Sequence, residues 1–175
     1  MKKHPESRFE WAVAEMDLQP GHNILEIGPG TGIALEIIAR QVSAGSVVAL
    51  DQSRAMIAKA ESRLKRCELD QRVTFIVDTA EAADLSRFRF DRVFAFNVSI
   101  FYKETDLSRV LDPVAKGGVI GIFYQNPPGT DKRRLDDMLG KVKTLLKSYR
   151  FEVINLPVYN HEKATPTGGV VARKR

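Results

Sequence analysis

The chain is 175 residues long, 43% hydrophobic and 28% charged, values that suit one globular domain and exclude a disordered or collagen-like polymer. Its apolar runs are all broken well short of the roughly 18 residues that a bilayer-spanning helix needs. The net charge is +5, but Arg173, Lys174 and Arg175 hold three of those charges, so little of the excess is left to define a nucleic-acid groove.

Residues 1–7 carry two lysines and then His, Pro and Glu where a secretory leader would need an apolar stretch, which predicts a cytoplasmic protein. Cys67 is the only cysteine. It sits among charged residues with no metal-ligand spacing around it, so a passive thiol and no metal site are expected.

Residues 1–175 read as a single domain in which helices alternate with strands. Within residues 1–20, Phe9, Val13 and Met16 recur at helical spacing beside Trp11 and Ala12. That helix docks on the rest of the fold in its plainest reading and can also cap the substrate side. Strands are then predicted over residues 23–28, 47–51, 73–77, 91–96, 119–124, 151–157 and 169–173, the first five apolar enough to be buried on both faces. Helices are predicted over residues 33–41, 53–69, 106–114 and 135–149, with Ser53 and Asp106 as N-caps. The polar segment 158–168, with Pro166 and Gly168, has no helical pattern, so the last two strands read as an antiparallel pair. This is an α/β chain with an open, largely parallel sheet, helices on both faces and its ligand site beyond the carboxyl ends of the strands.

The most informative segment is Ile24-Leu25-Glu26-Ile27-Gly28-Pro29-Gly30-Thr31-Gly32, a strand that runs into glycines and then a helix. Asp51 ends the next strand, at a spacing that suits a carboxylate accepting hydrogen bonds from two ribose hydroxyls. A dinucleotide fingerprint would place its third glycine one residue later, where Ile33 stands, and no Gly-Lys-Ser/Thr follows for a nucleotide triphosphate. Glu26 would repel a pyrophosphate and attract an amino group, so the ligand should carry a cation.

Glu26, Gly28, Gly30 and Gly32 resemble the first motif, Glu/Asp-x-Gly-x-Gly-x-Gly, of the class I S-adenosylmethionine-dependent methyltransferases, and the resemblance extends from the Ser7 region to Arg173. It implies a three-layer Rossmann-like sheet of seven strands in the order 3-2-1-4-5-7-6, with strand 7 antiparallel. It implies S-adenosyl-L-methionine as cofactor and S-adenosyl-L-homocysteine as product. The methionine moiety would lie over Gly28 and Gly30 with Glu26 near its amino group, the ribose on Asp51, and Gln52 alongside. Val77-Asp78-Thr79-Ala80-Glu81 is similar to the family's loop after the third strand, where Asp78 would accept from the adenine amino group; a turn or cap role explains Asp78 as well. Asn97 occupies the fourth-motif position between cofactor and acceptor, or is an ordinary strand-ending residue. Before the fifth strand only Gly117-Gly118 matches the family's Pro-Gly-Gly turn.

A sulfonium methyl is already electrophilic, so no catalytic triad is required and no general base is assigned. His161 reads as a loop residue and His4 as a terminal one. Tyr102 and Glu104 are the candidates for touching the acceptor, although Tyr102 also suits packing. The expected acceptor is a small molecule, apolar or lipid-like given the N-terminal helix. RNA methylation and a non-catalytic interaction protein are the alternatives. Asn126-Pro127-Pro128 reads as a proline-stiffened loop, and Lys132-Arg133-Arg134 as a solvated helix start.

Overall fold

The computed structural model describes residues 7–103, 106–126, 132–159 and 165–175. Glu104, His4, His161 and Pro127–Pro128 therefore lie outside the described residues. In chain order the elements are α1 (Arg8–Ala14), β1 (Ile24–Ile27), α2 (Ile33–Gln41), β2 (Val47–Asp51), α3 (Arg54–Lys65), β3 (Val73–Val77), β4 (Phe90–Phe96), α4 (Ser108–Leu111), β5 (Val114–Gln125), α5 (Lys132–Ser148), β6 (Phe151–Asn155), β7 (Val158–Tyr159) and β8 (Thr167–Lys174). Short 3₁₀ turns occupy Asp70–Arg72 and Ser99–Tyr102.

The strands form one sheet in the order β3-β2-β1-β4-β5-β8-β6, with β7 paired to β8. The first five run parallel, whereas β8 is antiparallel to both β5 and β6. This is the expected Rossmann-like order, with the predicted seventh strand now numbered β8. The two-residue β7 is additional, because Pro157 ends the predicted sixth strand early and the chain pairs again at Val158↔Gly168.

Helices cover both faces and make three layers. On one face α1, α2 and α3 contribute Trp11, Leu35, Ile38 and Leu64 to a core with Phe94, Phe96 and Phe123 of the sheet. On the other, α4 and α5 contribute Val110, Leu135 and Leu146 against Leu25, Val93 and Ile122. The expectation that the first five strands are buried on both faces fails at β3. It closes the sheet, and among its residues Val73 is buried while Val77 is 39% exposed. No helix among the described residues is long and apolar enough to cross a membrane.

Helix boundaries shifted where local geometry overrides periodicity. Ser53 caps α3 as predicted, accepting from Met56 N–H, but the helix stops at Lys65 rather than Leu69. Glu68 adopts φ 57°, and Leu69 N–H donates back to the Leu64 carbonyl, a left-handed cap that returns Leu69 to the core. Asp106 is not the N-cap residue of α4, which Leu107 occupies, yet its Oδ1 still accepts from Ser108 N–H at 2.9 Å and from the Tyr149 hydroxyl at 3.0 Å. Pro113, which lacks an N–H, ends that helix after one turn. The fifth strand starts earlier than predicted, at Val114, with a register jump between Phe90 and Arg92 and a bend at Gly117, whose φ is 78°.

A capping box fixes the start of α1: Ser7 Oγ accepts from Glu10 N–H, and the Glu10 carboxylate accepts from Ser7 N–H. The helix docks across the carboxyl half of β4 and β5. Phe9 packs on Phe96 at 4.8 Å between ring centroids, and Trp11 meets Phe123 edge-on at 5.5 Å and Tyr159 at 5.5 Å. Arg92 on β4 secures the chain after the helix by donating to the Met16 carbonyl at 2.9 Å. Replacing buried Trp11 removes this anchor, and Trp11→Ala should lower stability by about 3–5 kcal/mol in urea unfolding. A loss under about 1 kcal/mol would mean that α1 is not docked.

Candidate active site

Three glycines steer the chain out of β1. Gly28, Gly30 and Gly32 hold φ of 68°, 54° and 79°, a left-handed conformation that costs other residues about 1–2 kcal/mol each. Each has a different surrounding. A Cβ on Gly28 would meet Val98 Cγ2 at 2.7 Å, and one on Gly32 would meet Ala60 Cα at 2.9 Å, whereas around Gly30 there is open space. Gly28 therefore admits the loop after β4, Gly32 lets α2 start against α3, and Gly30 leaves the backbone bare toward a ligand.

That bare backbone faces a crevice of about 380 Å³ at the carboxyl ends of the strands. Gly28 and Gly30 line it from β1, Asp51 and Gln52 from β2, Asp78 and Thr79 from β3, and Asn97 from β4. Seven separately predicted residues thus meet in one place. Two others, Glu26 and Gly32, sit behind the surface. Tyr102 does not line the crevice. It is half-buried, packs edge-on against Tyr124 at 5.4 Å, and borders a second groove toward α5. Glu104 lies outside the described residues.

Asp51 Oδ1 accepts from Ser53 N–H at 2.9 Å, which orients the carboxylate while its other lone pairs can take a diol. Asp78 Oδ1 accepts from Thr79 N–H at 2.7 Å, and the Asp78 N–H donates to the Asp51 carbonyl, so the loops after β2 and β3 are coupled. Asn97 has φ 59°. Its N–H donates to the Phe123 carbonyl and its Oδ1 accepts from Gln125 N–H, both at 2.8 Å. The strand-ending role and a place in the crevice are thus compatible.

Glu26 is 2% exposed, flanked along β1 by buried Leu25 and Ile27, and its Oε2 finds no hydrogen-bond partner. Burial raises its pKa to about 8. Burial therefore favours the protonated carboxyl at neutral pH.

Sequence reasoning missed Arg63. From α3 its Nε donates to the Thr31 carbonyl inside the glycine turn at 2.9 Å, and Nη1 reaches Glu36 Oε2 at 3.3 Å. Cys67 joins the same group by donating to Glu36 Oε1 at 3.4 Å. Nothing in a local pattern marks Arg63, because its partner is 32 residues away. Phe96, Val98 and Ile100, the apolar wall of the crevice, were also not singled out. Among the described residues no cluster of His, Cys, Asp and Glu could hold a metal ion.

A largely parallel sheet with this strand order, a glycine turn without a phosphate anchor, and Asp51 and Asp78 in the crevice define a domain of the Rossmann-like class. The sequence profile of the methyltransferase domain matches residues 24–117, more than half of the chain. The chain belongs to that family, the S-adenosylmethionine-dependent class I methyltransferases. It is 34% identical over 110 residues to the magnesium-protoporphyrin O-methyltransferase of Rhodobacter capsulatus, a match over 63% of this chain and 47% of that enzyme. It thus spans about half the length of that relative. The precorrin-6y C5,15-methyltransferase of Geobacter metallireducens superposes with a TM-score of 0.77 over 100% of this chain and 92% of that one, at 18% identity. The magnesium protoporphyrin IX methyltransferase of Synechocystis with bound S-adenosylmethionine gives a TM-score of 0.69, covering 95% of this chain and 76% of that one at 14% identity.

S-adenosylmethionine is the family's cofactor, and the residues present suit it. Glu26, with its unpartnered Oε2, lies just before a turn whose central glycine has open space around it. The same carboxyl gives a stability test. Its pKa is about 8 folded against 4.5 as the reference, so the protonated form's contribution is complete below 4.5 and is lost as pH rises to about 8. Glu26→Gln should match the parent near pH 4.5 and exceed it by on the order of a few kcal/mol at pH 8, by urea unfolding. A difference that does not change with pH would contradict the assignment.

Proposed function

We propose that this protein transfers the methyl group of S-adenosylmethionine to a small-molecule acceptor. The observation that carries the reading is the buried Glu26 carboxyl with an unpartnered Oε2, on β1 just before the left-handed glycine turn that lines a crevice whose other strands supply Asp51 and Asp78. A crevice of about 380 Å³ falls within the range of small-molecule sites, roughly 300–1,000 Å³.

In this reading Glu26 takes the ammonium of the amino-acid head, while Gly28 and Gly30 form the floor beneath it. Asp51 holds the ribose diol with Gln52 beside it. Asp78 accepts from the adenine amino group next to Thr79. The bound sulfonium supplies an electrophilic methyl, so the remaining work is to hold the acceptor in line and keep water out. Asn97, Val98 and Ile100 border the path along which an acceptor would approach. Helix α1 supports the acceptor side through Phe9 on Phe96, and Tyr102 and Glu104 remain the candidates for touching the acceptor itself. The relative named for magnesium protoporphyrin, 34% identical to this chain, supports a small organic acceptor.

Calorimetry tests the cofactor half directly. S-adenosylmethionine and S-adenosylhomocysteine should bind and NAD(H) should not, and Asp51→Ala should weaken both sulfur nucleosides roughly tenfold or more, the cost of losing hydrogen bonds to a charged group. No binding of either sulfur nucleoside would end the reading.

A further inference from the structure

Among the described residues two buried polar side-chain atoms lack a hydrogen-bond partner, and they belong to groups of opposite charge: Glu26 Oε2 and Arg8 Nε. They lie toward the same face of the sheet. Glu26 is in register with Phe94 of β4, and Phe94 and Phe96 point into the core that α1 and α2 cover. Phe96 also lines the crevice, Phe9 packs on Phe96 at 4.8 Å, and the Arg8 guanidinium lies over the Phe9 ring at 4.7 Å. The aromatic steps Phe96 and Phe9 thus lead from the level of Glu26, past the edge of the crevice, to Arg8.

Arg8 is also held there. The capping box at Ser7 fixes the first turn of α1, and Trp11 and Val13 anchor the helix in the core. The acid two residues on, Glu10, accepts from the Ser7 N–H within that box. A guanidinium placed this way matches a carboxylate, which can accept two parallel N–H bonds from its planar fork. An amino-acid head group carries an ammonium and a carboxylate on one carbon, the charges complementary to Glu26 and Arg8.

We propose that Arg8 binds the α-carboxylate of the cofactor's amino-acid head while Glu26 binds its α-ammonium, an inference that rests on the S-adenosylmethionine reading above. Helix α1 then belongs to the cofactor site as well as to the acceptor side. One zwitterion would give both orphaned atoms a partner, so the pair selects the intact amino-acid head over nucleosides that lack it.

The test pairs a variant with a ligand that lacks the group in question. Arg8→Met and Arg8→Lys are titrated by calorimetry with S-adenosylhomocysteine and with its decarboxylated analogue, which keeps the ammonium and loses the carboxylate. Arg8→Met should weaken S-adenosylhomocysteine roughly tenfold to a hundredfold, the effect of losing a charge-assisted pair, and should leave the decarboxylated analogue within about twofold of the parent. Arg8→Lys should recover part of the loss. Unchanged S-adenosylhomocysteine affinity in Arg8→Met would overturn the proposal, as would equal losses for both ligands, which mark a structural role. A raised KM for the acceptor with cofactor affinity intact would also overturn it and move Arg8 to the acceptor. Failure of the parent to bind S-adenosylhomocysteine is a separate result, which would remove the cofactor reading itself.

Discussion

A buried carboxyl group with an oxygen that lacks a hydrogen-bond partner is expensive to hold as an anion, and this protein holds one at Glu26. The cost is limited by protonation, which is why burial drives the group toward a pKa of about 8. The carboxyl returns to its charged form when a cation comes within reach. The glycine turn is the other half of the constraint: three left-handed residues in five positions leave no side chain between the ligand and the backbone at Gly30. Together they suit the proposed ligand, which would bring positive charge to the end of β1.

The rest of the fold serves that corner. Gly32 against Ala60 sets how closely α2 and α3 pack, and Arg63 reaches from α3 to hold the Thr31 carbonyl inside the turn. Asp51 and Asp78 extend the crevice along neighbouring parallel strands and are linked through backbone and capping bonds, so these loops are held together without a ligand. Asn97 joins the ends of β4 and β5, and the Tyr124 hydroxyl donates to the Val98 carbonyl to fix the opposite wall. Helix α1 closes the arrangement by packing Phe9 onto Phe96.

Much of this was legible in the sequence where the signal is local. The strand running into Gly28, the acid ending β2 and the Ser53 cap depend on short-range geometry, and they fall where the pattern puts them. The antiparallel end of the sheet was legible too, because the sequence of residues 158–168 carries no helical pattern from which to expect a parallel crossover. What could not be read depends on distant partners. Arg63 meets the glycine turn from another helix, β3 is half-exposed because it lies at the sheet edge, and Arg8 lies over Phe9, which packs on Phe96 of a strand far along the chain. Helical periodicity over residues 53–69 also hid the left-handed Glu68, since Leu64 and Leu69 are both buried whether the helix continues or turns back.

The account stands most directly on proton release. With its pKa raised to about 8, Glu26 is mostly protonated at pH 7 and, in the proposed reading, ionises to pair with the ligand's ammonium. Titrating S-adenosylhomocysteine into the protein in two buffers of different ionisation enthalpy should therefore register close to one proton released per ligand bound, vanishing in Glu26→Gln. Tight binding with no proton released by the parent would contradict the claim that this carboxyl is the cation's partner.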